Sequence, residues 1–233
     1  MIKNIEKNYS INFNPKKRSK NKIRFIILHY TGMRNEIKAI SKLTNIQSQV
    51  SCHFFIKNNG DIVEILPVQY VAWHAGKSKW KNIKSLNKNS IGVEISNPGH
   101  DFNYKKFNNK QIKSIIYLLK YLIQNFNINL KNILGHSDVA PDRKKDPGEK
   151  FPWEYLAKKK VCFWHKLKKN DLKKLRNLHI SNIEKLNFFK KLNHIGYSGK
   201  NQSLLIKAFQ RRFRQDLVNG KIDQECVKIC KHL

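Results

Sequence analysis

His29 and His136 are the residues around which hydrolytic chemistry could be organised in this chain. A hydrolase needs an activated water, a base, and a group that holds negative charge as a tetrahedral intermediate forms. Zinc sites commonly join neutral imidazoles to a carboxylate and leave one coordination position open for water. His29 ends an apolar run and is followed by Tyr-Thr-Gly, so its ring is expected to project from a sheet's rim into a cleft. His136 repeats the arrangement after Ile133-Leu134-Gly135 and enters a loop that carries Asp138, Asp142, Lys144 and Asp146. Taken alone, each histidine is equally well explained as a structural residue. Two at strand ends with acids downstream form a ligand set. Spacing does not decide which acid completes it, because Asp138 and Asp142 could equally cap local turns. Glu94 is a lone charge in the apolar stretch Ser90 to Ser96. It reads either as an outward-facing strand residue or, if desolvated, as an acid of raised pKa able to move a proton.

The elements that must position these groups are legible from hydrophobic period. Ile23 to Leu28 is a near-continuous β-favouring run, expected as a strand buried on both faces. Glu36 to about Thr44 reads as a helix with Ile37, Ile40 and Leu43 on one face. His53 to Lys57 and Ile62 to Leu66 read as strands joined through a hairpin at Asn58-Asn59-Gly60-Asp61, where Asn and Gly tolerate positive φ. Ser90 to Ser96 is a further strand. Asn108 to about Gln124 carries Ile112, Ile115, Ile116, Leu119 and Ile123 at helical spacing. Strands mixed with helices and a hairpin predict an α/β fold, a mixed central β-sheet flanked by helices. From about Ala157 to Asn177 the chain turns Lys-rich and predicts a helical connector. Asn182 to Leu192, Asn201 to Arg214 and Asp223 to Lys231 then predict a small three-helix domain, with Asp223 as an N-cap.

Composition bounds the partners. The 233 residues contain 47 Lys plus Arg against 16 Asp plus Glu, a formal net charge of +31. Nucleic acid is the first partner such a charge suggests. The basic residues are spread along the chain and are mostly Lys, without an arginine-rich arm, and Lys, Asn and Ile are abundant together, as coding bias would produce. No specific nucleic-acid partner is therefore expected. No apolar run reaches the roughly 18 residues a membrane span needs, and the first twenty residues lack the apolar centre of a secretory signal. Cys52, Cys162, Cys226 and Cys230 show no CxxC spacing and are expected as buried thiols.

Five strings in collinear order, RFIILHYTG, VSCHFFIKNNGDIVEIL, AWHAGKSKW, LNKNSIGVEISNPG and ILGHSDVAPDRKKDPGEKFPWEYL, resemble the N-acetylmuramoyl-L-alanine amidase family. These are the type 2 zinc amidases related to peptidoglycan-recognition proteins, and the similarity is greatest to the AmiD-like branch. The resemblance covers about 23–157 and implies one Zn²⁺ per chain, held by His29, His136 and Asp146. It implies that Glu94 is the catalytic acid and that Lys144, two residues before the last ligand, holds the developing oxyanion, a role its neighbour Lys145 does not share. Trp73, His74, Ala75, Gly76 and Trp80 resemble a loop on the cleft wall; of these, Trp73, His74, Ala75 and Trp80 are expected to contact the muramyl sugar and stem peptide. Several relatives carry a Tyr where this chain has Cys52, so no tyrosine-assisted step is expected, and His53 is expected to be structural.

The segment KAFQRRFRQDLVNGKIDQECVKI is similar to a three-helix peptidoglycan-binding module, which favours a polymeric substrate. The expected organisation is an N-terminal extension (1–22), a zinc amidase domain (23–157), a basic helical linker (158–180) and a peptidoglycan-binding module (181–233). The implied reaction is hydrolysis of the amide between N-acetylmuramic acid and L-alanine in peptidoglycan or muropeptides, by a monomer. A wall-binding module argues for the bacterial envelope, whereas the lack of an export signal allows the cytoplasm. The rival readings are a non-catalytic recognition protein of the same fold, which would lack a ligand, and a basic nucleic-acid-binding protein.

Overall fold

The computed structural model describes residues 5–233. The chain begins with β1 (Glu6–Lys7) and β2 (Phe13–Asn14), then β3 (Phe25–Tyr30), α1 (Glu36–Thr44), β4 (Phe54–Ile56) and β5 (Ile62–Glu64). Short strands β6 (Val71–Ala72), β7 (Lys79–Trp80) and β8 (Ile83–Lys84) precede β9 (Ser90–Ile95), the long α2 (Asn109–Phe126) and β10 (Ile133–Gly135). Helices α3 (His136–Val139), α4 (Trp153–Lys158), α5 (Lys169–Lys174), α6 (Asn182–Ile195), α7 (Gln202–Phe213) and α8 (Gln224–Lys231) complete it. The main sheet has six strands in the order β1-β5-β4-β9-β3-β10, and only the β4–β5 pair is antiparallel. This is the mixed sheet flanked by helices that the sequence predicts.

Period-2 alternation divides the core. Ile26 and Leu28 of β3, Ile91, Val93 and Ile95 of β9 and Ile133 of β10 pack against Ile115, Leu118, Leu119 and Leu122 of α2. Phe25, Ile27 and Leu134 point the other way, into a cluster with Phe188, Leu192, Phe209 and Phe213 of the C-terminal helices. Helix α2 starts at Asn108, whose side chain and Gln111 form a reciprocal cap. The hairpin at 58–61 turns through Gly60 at φ 92, a conformation that a Cβ would strain.

Three local expectations are corrected. Helix α1 has the predicted span, but its inward face is Ala39 and Leu43, while Ile37 is 79% exposed. The Lys-rich stretch after Ala157 is not one helix. Lys160 adopts φ 60, and Val161 and Cys162 are buried against the α2 side of the sheet before α5 begins. Burial of those two side chains outweighs local helix propensity. His136 does not enter an extended loop; it opens the single turn α3.

The described part of the expected N-terminal extension, 5–22, lies on the sheet. Residues of β1 pair with β5, and Ser10, Asn12 and Arg18 are buried. Among the described residues no helix is long and apolar enough to cross a membrane.

Candidate metal centre and catalytic cleft

Strand register assembles the site. In the parallel β3–β9 pair His29 lies opposite Glu94, Ile27 opposite Gly92 and Phe25 opposite Ser90. Alternation therefore puts His29 and Glu94 on the same face, away from α2. Strand β10 flanks β3 on its other side with Gly135 opposite Leu28, so the next residue, His136, comes level with His29. All three strands end at one rim, and in open α/β sheets ligand sites form outside the carboxyl ends of the strands.

The loop after α3 folds back to bring Asp146 to this rim, where the Asp146 carbonyl accepts a hydrogen bond from Ser137 N at 2.8 Å. The Nδ1 atoms of His29 and His136 are 2.9 Å apart, and each is 3.0 Å from Asp146 Oδ2. The other two acids of the loop face elsewhere. Asp138 accepts from Gly135 N and from Tyr197 Oη, both at 2.7 Å, and Asp142 accepts from the backbone N–H groups of Lys200 and Asn201. Geometry thus separates one acid from two that cap local and C-terminal backbone, a choice that spacing left open.

The donor set fits a divalent metal. The Nε2 of His136 lies 3.2 Å from the Ala75 carbonyl, which can only accept, and a proton on that nitrogen satisfies the contact and leaves Nδ1 with a bare lone pair. A carboxylate oxygen and a second imidazole nitrogen meet it at ligand-edge spacing, and zinc takes imidazole and carboxylate donors in tetrahedral sites. Burial and the neighbouring His136 lower the His29 pKa to about 4, which keeps its ring neutral and able to ligate.

These groups open into a cavity of about 440 Å³ whose walls include Trp73, His74, Glu94 and Lys144. Glu94 Oε2 is buried without a hydrogen-bond partner. Burial pushes its pKa well above the ordinary value, Asp146 adds to the rise, and Lys144 opposes it. Lys145 is exposed and sits 3.9 Å from Asp101.

The expected wall loop is split by the fold. Trp73 is 37% exposed beside the cavity. Ala75 is fully buried and contributes only its backbone. Trp80 does not reach the cleft: it is 4% exposed and meets the Tyr197 ring edge to face at 5.0 Å, in the core shared with the C-terminal helices. Strand β7 pairs with β8 in a separate hairpin, which carries Trp80 away from the rim. His74 lines the cavity beside His29, with Nδ1 3.0 Å from His29 Nε2. His53 is fully buried between Arg18 and the Gly92 N–H, consistent with a structural role.

Sequence reasoning passed over Arg143, which donates from Nε to the Lys77 carbonyl at 3.0 Å and from Nη2 to the Ala75 carbonyl. It also passed over Gly92, where an added Cβ would overlap the His74 ring. Neither carries a signal in one sequence, because both act through neighbours distant along the chain.

Comparison with known proteins gives consistent results. The family described as N-acetylmuramoyl-L-alanine amidase matches residues 19–149. The chain is 31% identical to N-acetylmuramoyl-L-alanine amidase AmiD of Escherichia coli K12, over 91% of this chain and 82% of that protein. It is 37% identical over 105 residues to 1,6-anhydro-N-acetylmuramyl-L-alanine amidase AmpD of the same organism, 45% of this chain and 55% of AmpD. Among solved structures, E. coli AmiD in complex with the substrate anhydro-N-acetylmuramic acid-L-Ala-D-γ-Glu-L-Lys superposes with a TM-score of 0.80 at 32% identity, covering 91% of this chain and 88% of that one. AmpDh3 of Pseudomonas aeruginosa in complex with anhydromuramic pentapeptide superposes with a TM-score of 0.79 at 28% identity, covering 94% and 93%.

Proposed function

The chain belongs to the N-acetylmuramoyl-L-alanine amidase family, and on that premise we propose that it hydrolyses the amide joining the lactyl group of N-acetylmuramic acid to L-alanine. His29, His136 and Asp146 hold one Zn²⁺ per chain. A zinc ion there would supply Lewis acidity, polarising the scissile carbonyl and lowering the pKa of water towards 7. Glu94 takes a proton from the attacking water and delivers it to the leaving amine of L-alanine. Lys144 faces the oxygen on which negative charge gathers, an interaction stronger in the transition state than with the neutral amide.

The observation that carries this reading is the buried, partnerless Oε2 of Glu94 in the cavity that three converging donor atoms share. An unsatisfied buried carboxyl costs stability, and a raised pKa suits a group that must both accept and release a proton near neutral pH. Peptidoglycan fragments are the substrate class. The C-terminal helices 181–233 add a second contact to the polymer, which raises local concentration on a wall and favours action in the envelope by a monomer. Trp73, partly exposed on the cavity wall, packs on the sugar in this reading.

The test pairs metal content with turnover. Glu94→Gln should lower muropeptide release roughly 100- to 10,000-fold while zinc stays bound at wild-type occupancy. Asp146→Ala should lose the metal. Near wild-type turnover by the first variant would remove Glu94 from the reaction, and full zinc retention by the second would remove Asp146 from the ligand set.

A further inference from the structure

We infer that the loop Trp73–Gly76 orients both histidines of the metal site, with His74 as the positioning residue for His29 and the Ala75 carbonyl as that for His136. The inference rests on the zinc-ligand reading above and assigns His74 a role other than contact with substrate.

Ser90 Oγ is 2.7 Å from the Leu86 carbonyl, which can only accept, so the one hydroxyl hydrogen points there. The same Oγ is 3.1 Å from His74 Nε2 and must therefore accept from it. With its proton on Nε2, a neutral His74 has a bare Nδ1, and that atom lies 3.0 Å from His29 Nε2. His29 then donates from Nε2 and turns an unprotonated Nδ1 toward Asp146 and His136. Reversing any one donor would leave two hydrogens or two lone pairs facing each other. The run from Leu86 through Ser90 and His74 to His29 has one consistent direction, and it ends with a lone pair at the metal position.

The second histidine is set by the adjacent residue of the same loop. His136 Nε2 donates to the Ala75 carbonyl at 3.2 Å. Arg143 Nη2 donates to the same carbonyl and is 3.2 Å from His136 Nε2. A carbonyl has two lone pairs, so the two donors lie close together because both converge on one acceptor.

The loop is anchored independently of the site. Asn87 Oδ1 accepts from the backbone N–H of His74 at 3.2 Å and of Ala75 at 2.7 Å, and Arg143 Nε ties down the Lys77 carbonyl. Gly92 completes the arrangement. It lies between Ser90 and Glu94 on the site-facing side of β9, and the His74 ring occupies the space its missing Cβ would take. A side chain at 92 would push His74 off His29. Outer contacts of this kind fix the ring's tautomer and raise ligand basicity, and losing one weakens metal binding about 10- to 100-fold.

The experiment uses the zinc-loaded full chain. Zinc affinity is measured by chelator competition for the wild type and for His74→Ala, His74→Asn, Ser90→Ala and His29→Ala, with kcat and KM on a muropeptide and the absorption spectrum of the cobalt-substituted forms. His74→Ala should weaken zinc about 10- to 100-fold, shift the cobalt spectrum and lower kcat with KM unchanged. His74→Asn, which keeps an acceptor near the position of Nδ1, should recover part of the affinity, and Ser90→Ala should show a smaller loss. Wild-type zinc affinity in His74→Ala together with a raised KM would overturn the inference and return His74 to the substrate side. If His29→Ala also binds zinc as the wild type does, the ligand reading itself fails, and the two failures are thereby distinguished.

Discussion

Of the basic residues that border the cleft, among them Lys42, Arg143 and Lys145, Lys144 is distinguished by its effect on Glu94. It lines the cavity that holds the three converging donors and Glu94, and its charge is the first to oppose the rise in the Glu94 pKa. Lys145, one residue on, is exposed and near Asp101. Lys144→Met should therefore lower kcat roughly 100- to 1,000-fold, the usual effect of removing one oxyanion donor, whereas Lys145→Met should leave kcat near wild type. A second effect follows from sign. Removing a positive charge that favours the ionised carboxyl raises the Glu94 pKa further, so the acid limb of the pH–rate profile should move to higher pH. Steady-state kinetics across pH would record both. Equal losses in the two lysine variants, or an acid limb that stays in place, would count against the assignment.

At the scale of elements, the parallel arrangement of β9, β3 and β10 does most of the positioning, since it delivers Glu94, His29 and His136 to one rim without long loops. The C-terminal helices depend on caps and charges. Asp223 caps α8 by accepting from Cys226 N at 3.0 Å and also accepts from Asn177 N at 3.1 Å, with Arg214 beside it. Burial would raise the Asp223 pKa, but the two N–H donors and the Arg214 guanidinium outweigh it and leave the pKa below the usual range. A carboxyl whose folded pKa is depressed stabilises above its unfolded value, near 3.9, and that contribution is lost as pH falls through the lower folded value. Asn caps a helix about as well as Asp, so Asp223→Asn isolates the charge. The variant should be less stable at pH 7 by about 1.5–3 kcal/mol, and the gap in melting temperature should close as pH drops below about 4. A gap that is constant with pH would mean that the charge contributes nothing.

For the molecule as a whole, the informative feature is the shared core. Phe25, Ile27 and Leu134 of the central sheet lie in one cluster with Phe188, Phe209 and Phe213 of α6 and α7. Arg212 adds a second link, with its guanidinium 3.4 Å above the Trp153 ring and Nη2 donating to the carbonyls of Ile133 and Phe163. Burying one face of a sheet against another part of the chain couples their unfolding. Calorimetry should therefore show one transition for the whole chain. Phe209→Ala, deep in α7, should destabilise that single transition by about 3–5 kcal/mol rather than melt the C-terminal helices alone. Two resolved transitions would show that the helices 181–233 are energetically separate from the sheet.

What the sequence determined by itself is local. The period of its apolar residues marked β3, β9, α2 and the three C-terminal helices to within a few residues, and Asn58 to Asp61 marked the hairpin, because these signals depend only on neighbours along the chain. The ordered motifs singled out His29, His136, Asp146, Glu94 and Lys144. The inward face of α1, the break in the Lys-rich stretch after Ala157 and the burial of Trp80 were decided by packing partners dozens of residues away. So was the position of His74, whose ring fits only because Gly92, on a strand paired beside β3, has no side chain. Strand register and shared burial are properties of pairs of segments, and a single segment carries no record of its partner.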